Sequence, residues 1–301
     1  MRNEVISLYN ERVGVTILKF IFFGIVFFLF LYWLIQRAYK NTKDVVLNKI
    51  VIGENHDHGD SQVLNILQLS DLHLENISIP PDELYETLKD EKIDLIALTG
   101  DFLDRKRTIP KLGPYLESLR QLKAKYGMYA VLGNHDYILK ENDLQQLVHT
   151  LEQYDVIVLQ NDHKPIIVNG KTVNIIGIDD FCTGRSNLVS SYTNLPDGIN
   201  LVLTHDPNIV LHMKKFHFDY LLAGHFHGGQ ICYPKAYHLL KMGKLARMNM
   251  IKGLHLYEGK PFYINEGLGQ TGVNLRIGSR PEITLHRFSL SSVKTETLPA
   301  I

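Results

Sequence analysis

Along the chain the first pattern is an unbroken apolar run. Residues 13–35, "VGVTILKFIFFGIVFFLFLYWLI", carry one charge, Lys19, in 23 positions. A helix of about 20 apolar residues spans the hydrocarbon core of a bilayer, so the run predicts a transmembrane helix. Lys19 lies near one end, where its stem can snorkel, and Tyr32 and Trp33 lie at the other, at the depth of an aromatic belt. A signal peptide would have an apolar core of about 7–15 residues and a small-residue cleavage site. Here the run is longer and "QRAYKNTK" follows it, so it reads as a retained anchor. Residues 1–44 are assigned to this anchor and a basic linker, and residues 45–301 to one larger domain. Arg37, Lys40, Lys43 and Lys49 follow the span while Arg2 and Arg12 precede it, a bias that turns the larger domain towards the cytoplasm.

After residue 44 the period shortens. "VVLNKIVI" and "QVLNILQLS" read as strands, and the turn-rich "GENHDHGDS" between them suggests a hairpin whose HDHGD cluster is a solvated tip. "PPDELYETLKDEK", "IPKLGPYLESLRQLKAKYG" and "ENDLQQLVHTLEQYD" read as helices, and the buried strands "IDLIALTGD" and "MYAVLGNHD" fall between them. This alternation argues for an α/β layered domain. The later, strand-rich part, including "LHLYEGKPFYINEG" and "PEITLHRFSL", argues for a second sheet. The two together predict a two-sheet β-sandwich flanked by helices.

Composition narrows the classes a little. Lys plus Arg equal Asp plus Glu at 32 each. A neutral chain offers no general affinity for phosphate backbones, so nucleic acid is not an expected partner. Cys182 and Cys232 are too few for a disulfide framework.

The chemistry gathers at strand ends. "ILQLS" runs into Asp71 and His73, "LIALTG" into Asp101, "YAVLG" into Asn134 and His135, "LVLT" into His205, and "YLLAG" into His225 and His227. Strand ends along one sheet edge converge, and open α/β sheets place ligands there. A donor set that mixes carboxylates and imidazoles without thiolates suits a hydrolytic pair of divalent ions, Mn, Fe or Zn with Mn favoured, rather than structural zinc. Gly100, Gly133 and Gly224 would let the chain turn sharply beside these residues.

In order, D-x-H, GD-x-x-D, GNHD, THDP and GHFH resemble the motifs of the calcineurin-like metallophosphoesterase superfamily. The likeness spans about residues 63–270. It is similar in particular to a membrane-associated bacterial branch ending in a GLG…R…PEI pattern, here Gly267-Leu268-Gly269, Arg276 and Pro281-Glu282-Ile283. The resemblance implies one metal held by Asp71, His73, Asp101 and His227, and a second held by Asp101, Asn134, His205 and His225, with Asp101 bridging. It implies His135 as the general acid, Asp104 as the carboxylate that orients it, and Asp136 as a support for neighbouring ligands. Arg105, where Lys106 replaces the glycine of a GDxxDRG pattern, and Arg276 are expected to contact substrate.

The anchor would hold this chemistry beside a bilayer. Residues 231–257 add Lys235, Lys241, Lys244, Arg247 and Lys252 among apolar side chains, a composition suited to anionic headgroups. The expected substrate is a lipid-linked phosphate or pyrophosphate; relatives in the family cleave UDP-2,3-diacylglucosamine. A tethered phosphodiesterase or phosphatase acting on soluble substrates is the alternative. A catalytically silent binding module would have lost ligand positions that are all filled here.

Overall fold

The computed structural model describes residues 2–53, 63–232 and 235–290, so the HDHGD cluster lies outside the described residues. The chain forms two compact units, Met1–Lys40 and Asn41–Ile301. The first is helix α1 (Arg2–Asn41 in full). From Arg12 on, it is long and apolar enough to cross a membrane, with mean hydropathy 2.5.

In chain order the strands of the second unit are β1 (Val46–Ile52), β2 (Val63–Leu69), β3 (Leu95–Thr99), β4 (Met128–Val131), β5 (Val156–Val158), β6 (Asp162–Val168), β7 (Lys171–Gly177), β8 (Ile199–Leu203), β9 (Tyr220–Ala223), β10 (Gly253–Tyr257), β11 (Lys260–Ile264) and β12 (Glu282–Ser289). Helices α2 (Pro81–Leu88), α3 (Ile109–Gln121) and α4 (Glu141–Gln153) fall among the first five. The strands build two six-stranded mixed sheets, in the orders β1-β12-β2-β3-β4-β5 and β10-β11-β9-β8-β7-β6.

Side chains alternate across each strand, and here both faces are covered. On β2 and β3, Leu64, Ile66, Leu95 and Ala97 face the other sheet and meet Ile175, Leu201, Leu203 and Leu222. Leu67, Leu69, Ile96 and Leu98, one residue out of phase, pack under Leu84, Leu116 and Leu147 of the three helices. The outer face of the second sheet, with Ile176, Val202 and Leu221, is covered by Val210 and Met213 and by Leu239 and Leu245. Strands buried on both faces read as continuous apolar runs, which is why "LIALT" and "LVL" carry no alternation.

Two expectations change. β1 and β2 are not a hairpin, because β12 lies between them, parallel to β1 and antiparallel to β2. By the same pairing, β12 belongs to the first sheet and not to the second. Burial explains the arrangement. β12 is buried at seven of its eight positions, as a central strand must be. β1 is mostly part-exposed and carries Lys49, as a protected edge does.

The placement of the site follows from strand direction. β2, β3 and β4 run parallel to one another, as do β8 and β9. Their C-terminal ends carry all the strand-end motifs. The sheets are stitched there: the Gln68 amide donates to the Ala223 carbonyl at 3.0 Å, and an imidazole nitrogen of His205 (Nδ1) donates to the Thr99 carbonyl at 2.7 Å.

Candidate active site

Five of the seven residues expected to bind metal have a left-handed backbone: Asp71 (φ 49°), His73 (36°), Asp101 (56°), His225 (78°) and His227 (51°). Such φ values are uncommon outside glycine and persist only where neighbours enforce them. Here loop hydrogen bonds do so: the Asp71 N–H donates to the Gly100 carbonyl at 2.9 Å and the His73 N–H to the Asp101 carbonyl at 3.1 Å. The side chains of these residues gather in two groups of potential metal donors.

Glycine does two different things beside them. Gly100 has φ 86°, the turn expected of it. Gly133 and Gly224 have ordinary φ and serve close approach instead. A Cβ on Gly133 would sit 2.2 Å from Asp101 Oδ1, and one on Gly224 2.3 Å from Asp71 Oδ2.

The side chains form two adjoining groups. In one, His73 Nε2 and His227 Nε2 lie 3.2 Å apart, and His227 Nε2 lies 3.2 Å from Asp71 Oδ1. In the other, His205 Nε2 and His225 Nδ1 lie 3.2 Å apart, and His205 Nε2 lies 3.1 Å from Asp101 Oδ2. The same Asp101 oxygen is 3.6 Å from His73 Nε2, so it faces both groups. Its partner oxygen, Oδ1, already accepts the His135 N–H at 2.8 Å.

These donors fit divalent cations. Zn–N bonds of about 2.0–2.1 Å in tetrahedral geometry put neighbouring ligand atoms about 3.3 Å apart, close to the separations here. Asn134, which lines one cavity with Asp101 and His225, has a buried Oδ1 with no hydrogen-bond partner among the described residues. An unsatisfied buried acceptor costs about 1–3 kcal/mol, and a cation would satisfy it.

The protonation states of Asp71, Asp101 and His225 suit the same purpose. Burial would raise the Asp71 and Asp101 carboxyls, but the surrounding histidines, His227 and His205 foremost, hold both well below the usual carboxylate range. Burial, then the neighbouring His205, pushes His225 down to about 3, leaving a neutral imidazole with a free lone pair. Its Nδ1–H fixed on the Thr99 carbonyl, His205 turns Nε2 inward.

His135 stands apart from the donor set. One oxygen of Asp104 lies 2.8 Å from His135 Nδ1 and 2.8 Å from His73 Nδ1, so a single carboxylate orients both rings. Burial opposes a charge on His135, but the Asp104 hydrogen bond and the Asp101 charge outweigh it and push the ring up to about 9. Asp104 is positioned in turn by Glu75, whose carboxylate accepts the Asp104 N–H at 3.0 Å and the Thr108 hydroxyl at 2.6 Å. Nothing in the strand-end pattern singles out Glu75, although it lies only two residues past His73. Asp136 is fully buried and accepts the N–H groups of Asp101, Phe102 and Gly133 at 2.9 Å each, tying two of the ligand loops together.

The two arginines expected to contact substrate lie in different surroundings. Arg105 is exposed on the loop after Asp104. Arg276 is fully buried, and its guanidinium donates to the carbonyls of Glu266, Gly267, Gly269 and Arg280 at 2.8–3.0 Å. Those donors are satisfied by backbone, so Arg276 clamps the Gly267–Gly269 loop. That loop passes beneath the site, where the Gly269 carbonyl lies 3.3 Å from His227 Nδ1.

Paired sheets with carboxylates and imidazoles at their shared edge define a hydrolase of the metal-dependent phosphoesterase class. Residues 64–229 match the sequence profile of the calcineurin-like phosphoesterases, and the chain belongs to that family. It is 62% identical to the uncharacterized metallophosphoesterase YkoQ of Bacillus subtilis (strain 168), over 87% of this chain and 96% of that one. It is 29% identical to the uncharacterized metallophosphoesterase YkuE of the same organism, over 75% of this chain and 79% of that one. To the UDP-2,3-diacylglucosamine pyrophosphatase LpxG of Chlamydia trachomatis it is 27% identical, over 77% of this chain and 84% of that one.

Proposed function

We propose that the chain is a single-pass membrane enzyme, its catalytic domain on the cytoplasmic side, that hydrolyses a lipid-linked phosphoester or pyrophosphate with two divalent cations. Asp71, His73, Asp101 and His227 would hold one ion, and Asp101, Asn134, His205 and His225 the other. The carrying observation is Asp101 Oδ2, which faces both imidazole groups while its other oxygen is occupied by backbone. Two cations held there would make water a better nucleophile near neutral pH and would neutralise charge on the phosphoryl oxygens. His135, oriented through Nδ1 by Asp104, keeps Nε2 free to give a proton to the departing oxygen. Arg105, exposed beside that pair, is available to a phosphate group.

The lipid-linked substrate rests on three supports: an N-terminal helix apolar enough to span a bilayer, the basic and apolar composition of residues 231–257, and the relative named as a UDP-2,3-diacylglucosamine pyrophosphatase. The test is turnover by the detergent-solubilised protein, stripped of metal and reloaded with Mn, Fe or Zn. Bis-p-nitrophenyl phosphate and a UDP-linked acylated sugar are the substrates. Activity is expected only after reloading, with preference for the acylated sugar. In Asp101→Ala, elemental analysis should find one ion or fewer and no turnover. Two retained ions with normal rates would remove the bridging assignment.

A further inference from the structure

Two adjoining cavities open onto the cluster, and one of them is lined by lysines. The first, about 440 Å³, has His135, Asn134, His225 and His227 at its floor and the apolar side chains of Phe226, Ile231, Leu239, Met242 and Val273 in its walls. The second, about 430 Å³, shares Asn134, His225 and Met242 with the first; the rest of its lining mixes Phe181, Leu211 and Asp206 with Asn208, His212, Lys241 and Lys244. Met242 is the apolar side chain common to both. His135 lines the first and not the second.

The walls are built, not loosely draped. Asn208, three residues past His205, donates from its amide to the Met242 carbonyl at 2.8 Å and accepts the Leu245 N–H at 3.1 Å. Gln230, three residues past His227, donates to the carbonyls of Thr271 and Val273 at 2.9 Å each and accepts the Thr271 N–H at 3.1 Å. The residues that anchor both walls therefore follow directly on two of the ligand motifs. Apolar volume that reaches the reacting centre itself is suited to part of the substrate; small-molecule sites commonly enclose about 300–1,000 Å³.

Resting on the proposed hydrolase reading, we infer that the substrate is amphiphilic, lies across Met242, and is cut so that its apolar half departs. Its acyl or alkyl chain occupies the cavity walled by Ile231, Leu239, Met242 and Val273. Its polar head lies on the Lys241 and Lys244 flank, which suits a head carrying further anionic groups. The oxygen of water bonds to phosphorus, the bond from phosphorus to the chain-bearing oxygen breaks, and that oxygen takes the proton from His135 Nε2. The proton released from water passes to solvent, and His135 is reprotonated from it. The phosphoryl group that is attacked stays with the polar half, because the acid stands on the apolar side.

The test uses the full chain in nonionic detergent, loaded with Mn, and a series of alkyl glycerol phosphodiesters from methyl to decyl. Both oxygens at phosphorus belong to ordinary alcohols, so the products report orientation and not leaving-group strength. Burial of a methylene predicts that kcat/KM rises about fourfold per carbon until the cavity is filled. Mass spectrometry should find glycerol phosphate and the free alkyl alcohol. Val273 is 53% exposed, so Val273→Glu puts a charge at the cavity wall without burying it. In that variant the ratio of decyl to methyl kcat/KM should collapse. A flat chain-length profile, with bis-p-nitrophenyl phosphate still hydrolysed, overturns the cavity assignment and leaves the hydrolase reading standing. A rising profile that yields alkyl phosphate and glycerol overturns the orientation. A decyl-to-methyl ratio unchanged by Val273→Glu places the chain elsewhere. Failure to hydrolyse any phosphoester in the metal-loaded protein overturns the hydrolase reading and this inference with it.

Discussion

At the scale of single residues, the division of labour between the carboxylates and His135 has measurable consequences. His135 is outside the proposed ligand set, so His135→Gln should retain both metals by elemental analysis while turnover falls. General acid catalysis supplies about 10²–10⁴-fold, and a loss in that range is expected for an alkoxide leaving group. The loss should shrink for p-nitrophenolate, which departs without help; equal losses for both would assign His135 another role. The readable part of the site is also explained at this scale. Asp71, Asp101 and His205 each follow their own strand within two residues, so a local pattern of apolar run then donor reveals them. Arg276 entered through the GLG…R…PEI resemblance, and only the packed structure reveals four carbonyls within reach of its guanidinium. Asn208 and Gln230 act through backbone groups up to 43 residues away, and no spacing rule announces such partners.

At the scale of elements, the turns that follow the strands tolerate almost no added volume. Gly224→Ala would place a methyl group 2.3 Å from Asp71 Oδ2 and 1.9 Å from Ser70 Oγ, neither of which has a long flexible arm to yield. Overpacking of this kind costs about 1–3 kcal/mol. The expected result is a folded protein with a lowered melting temperature and metal lost first from the group around Asp71. Wild-type metal content would mean that the loop relaxes more freely than its geometry suggests. Strand identity was legible wherever both faces of a strand are apolar. Strand neighbourhood was not: β12 joins β1 and β2 from more than 200 residues away, and turn-rich residues between two strands say nothing about a third inserting between them.

For the whole molecule, the seam between the sheets contains a titrating group remote from the reaction. His286 is fully buried, with Nδ1 accepting the Tyr220 hydroxyl at 2.8 Å and Nε2 donating to the Gln68 side-chain oxygen at 3.0 Å. Burial pushes it down to about 3 from an ordinary 6.5. The unfolded chain therefore takes up a proton as pH falls below about 6.5 and the folded chain does not, so stability declines from there towards about pH 3. The slope from this one group is about 1.4 kcal/mol per pH unit. His286→Gln should be less stable at pH 7.5, yet lose less between pH 7.5 and 5 in thermal melts. Parallel losses in the two proteins would place the acid sensitivity elsewhere.

The boundary of the catalytic unit is also testable. The Asn41 amide donates to the Arg276 carbonyl at 3.0 Å, and Asp44 pairs with Arg280, so a cut after residue 44 removes contacts that belong to the domain. A protein comprising residues 41–301 should leave the membrane fraction and hydrolyse bis-p-nitrophenyl phosphate at the rate of the full chain. One comprising residues 45–301 should melt lower. Retention of the 41–301 protein on membranes would point to the basic segment from 231 to 257 as a second attachment.

The left-handed turns at Asp71, His73, Asp101, His225 and His227 carry one more consequence, for how this centre can change. Aspartate, asparagine and histidine are the non-glycine residues that enter that backbone region most readily, and they are also short side chains able to bind divalent ions. The alphabet of permitted ligands is therefore set twice, once by coordination and once by the peptide backbone. Exchanging Asp101 for Glu keeps the charge but gives up that conformational tolerance, and it lengthens an arm already pressed against Gly133. In the proposed ligand set, Asn134 and His205 are the two positions whose backbone is ordinary, so there the choice of side chain is left to coordination alone.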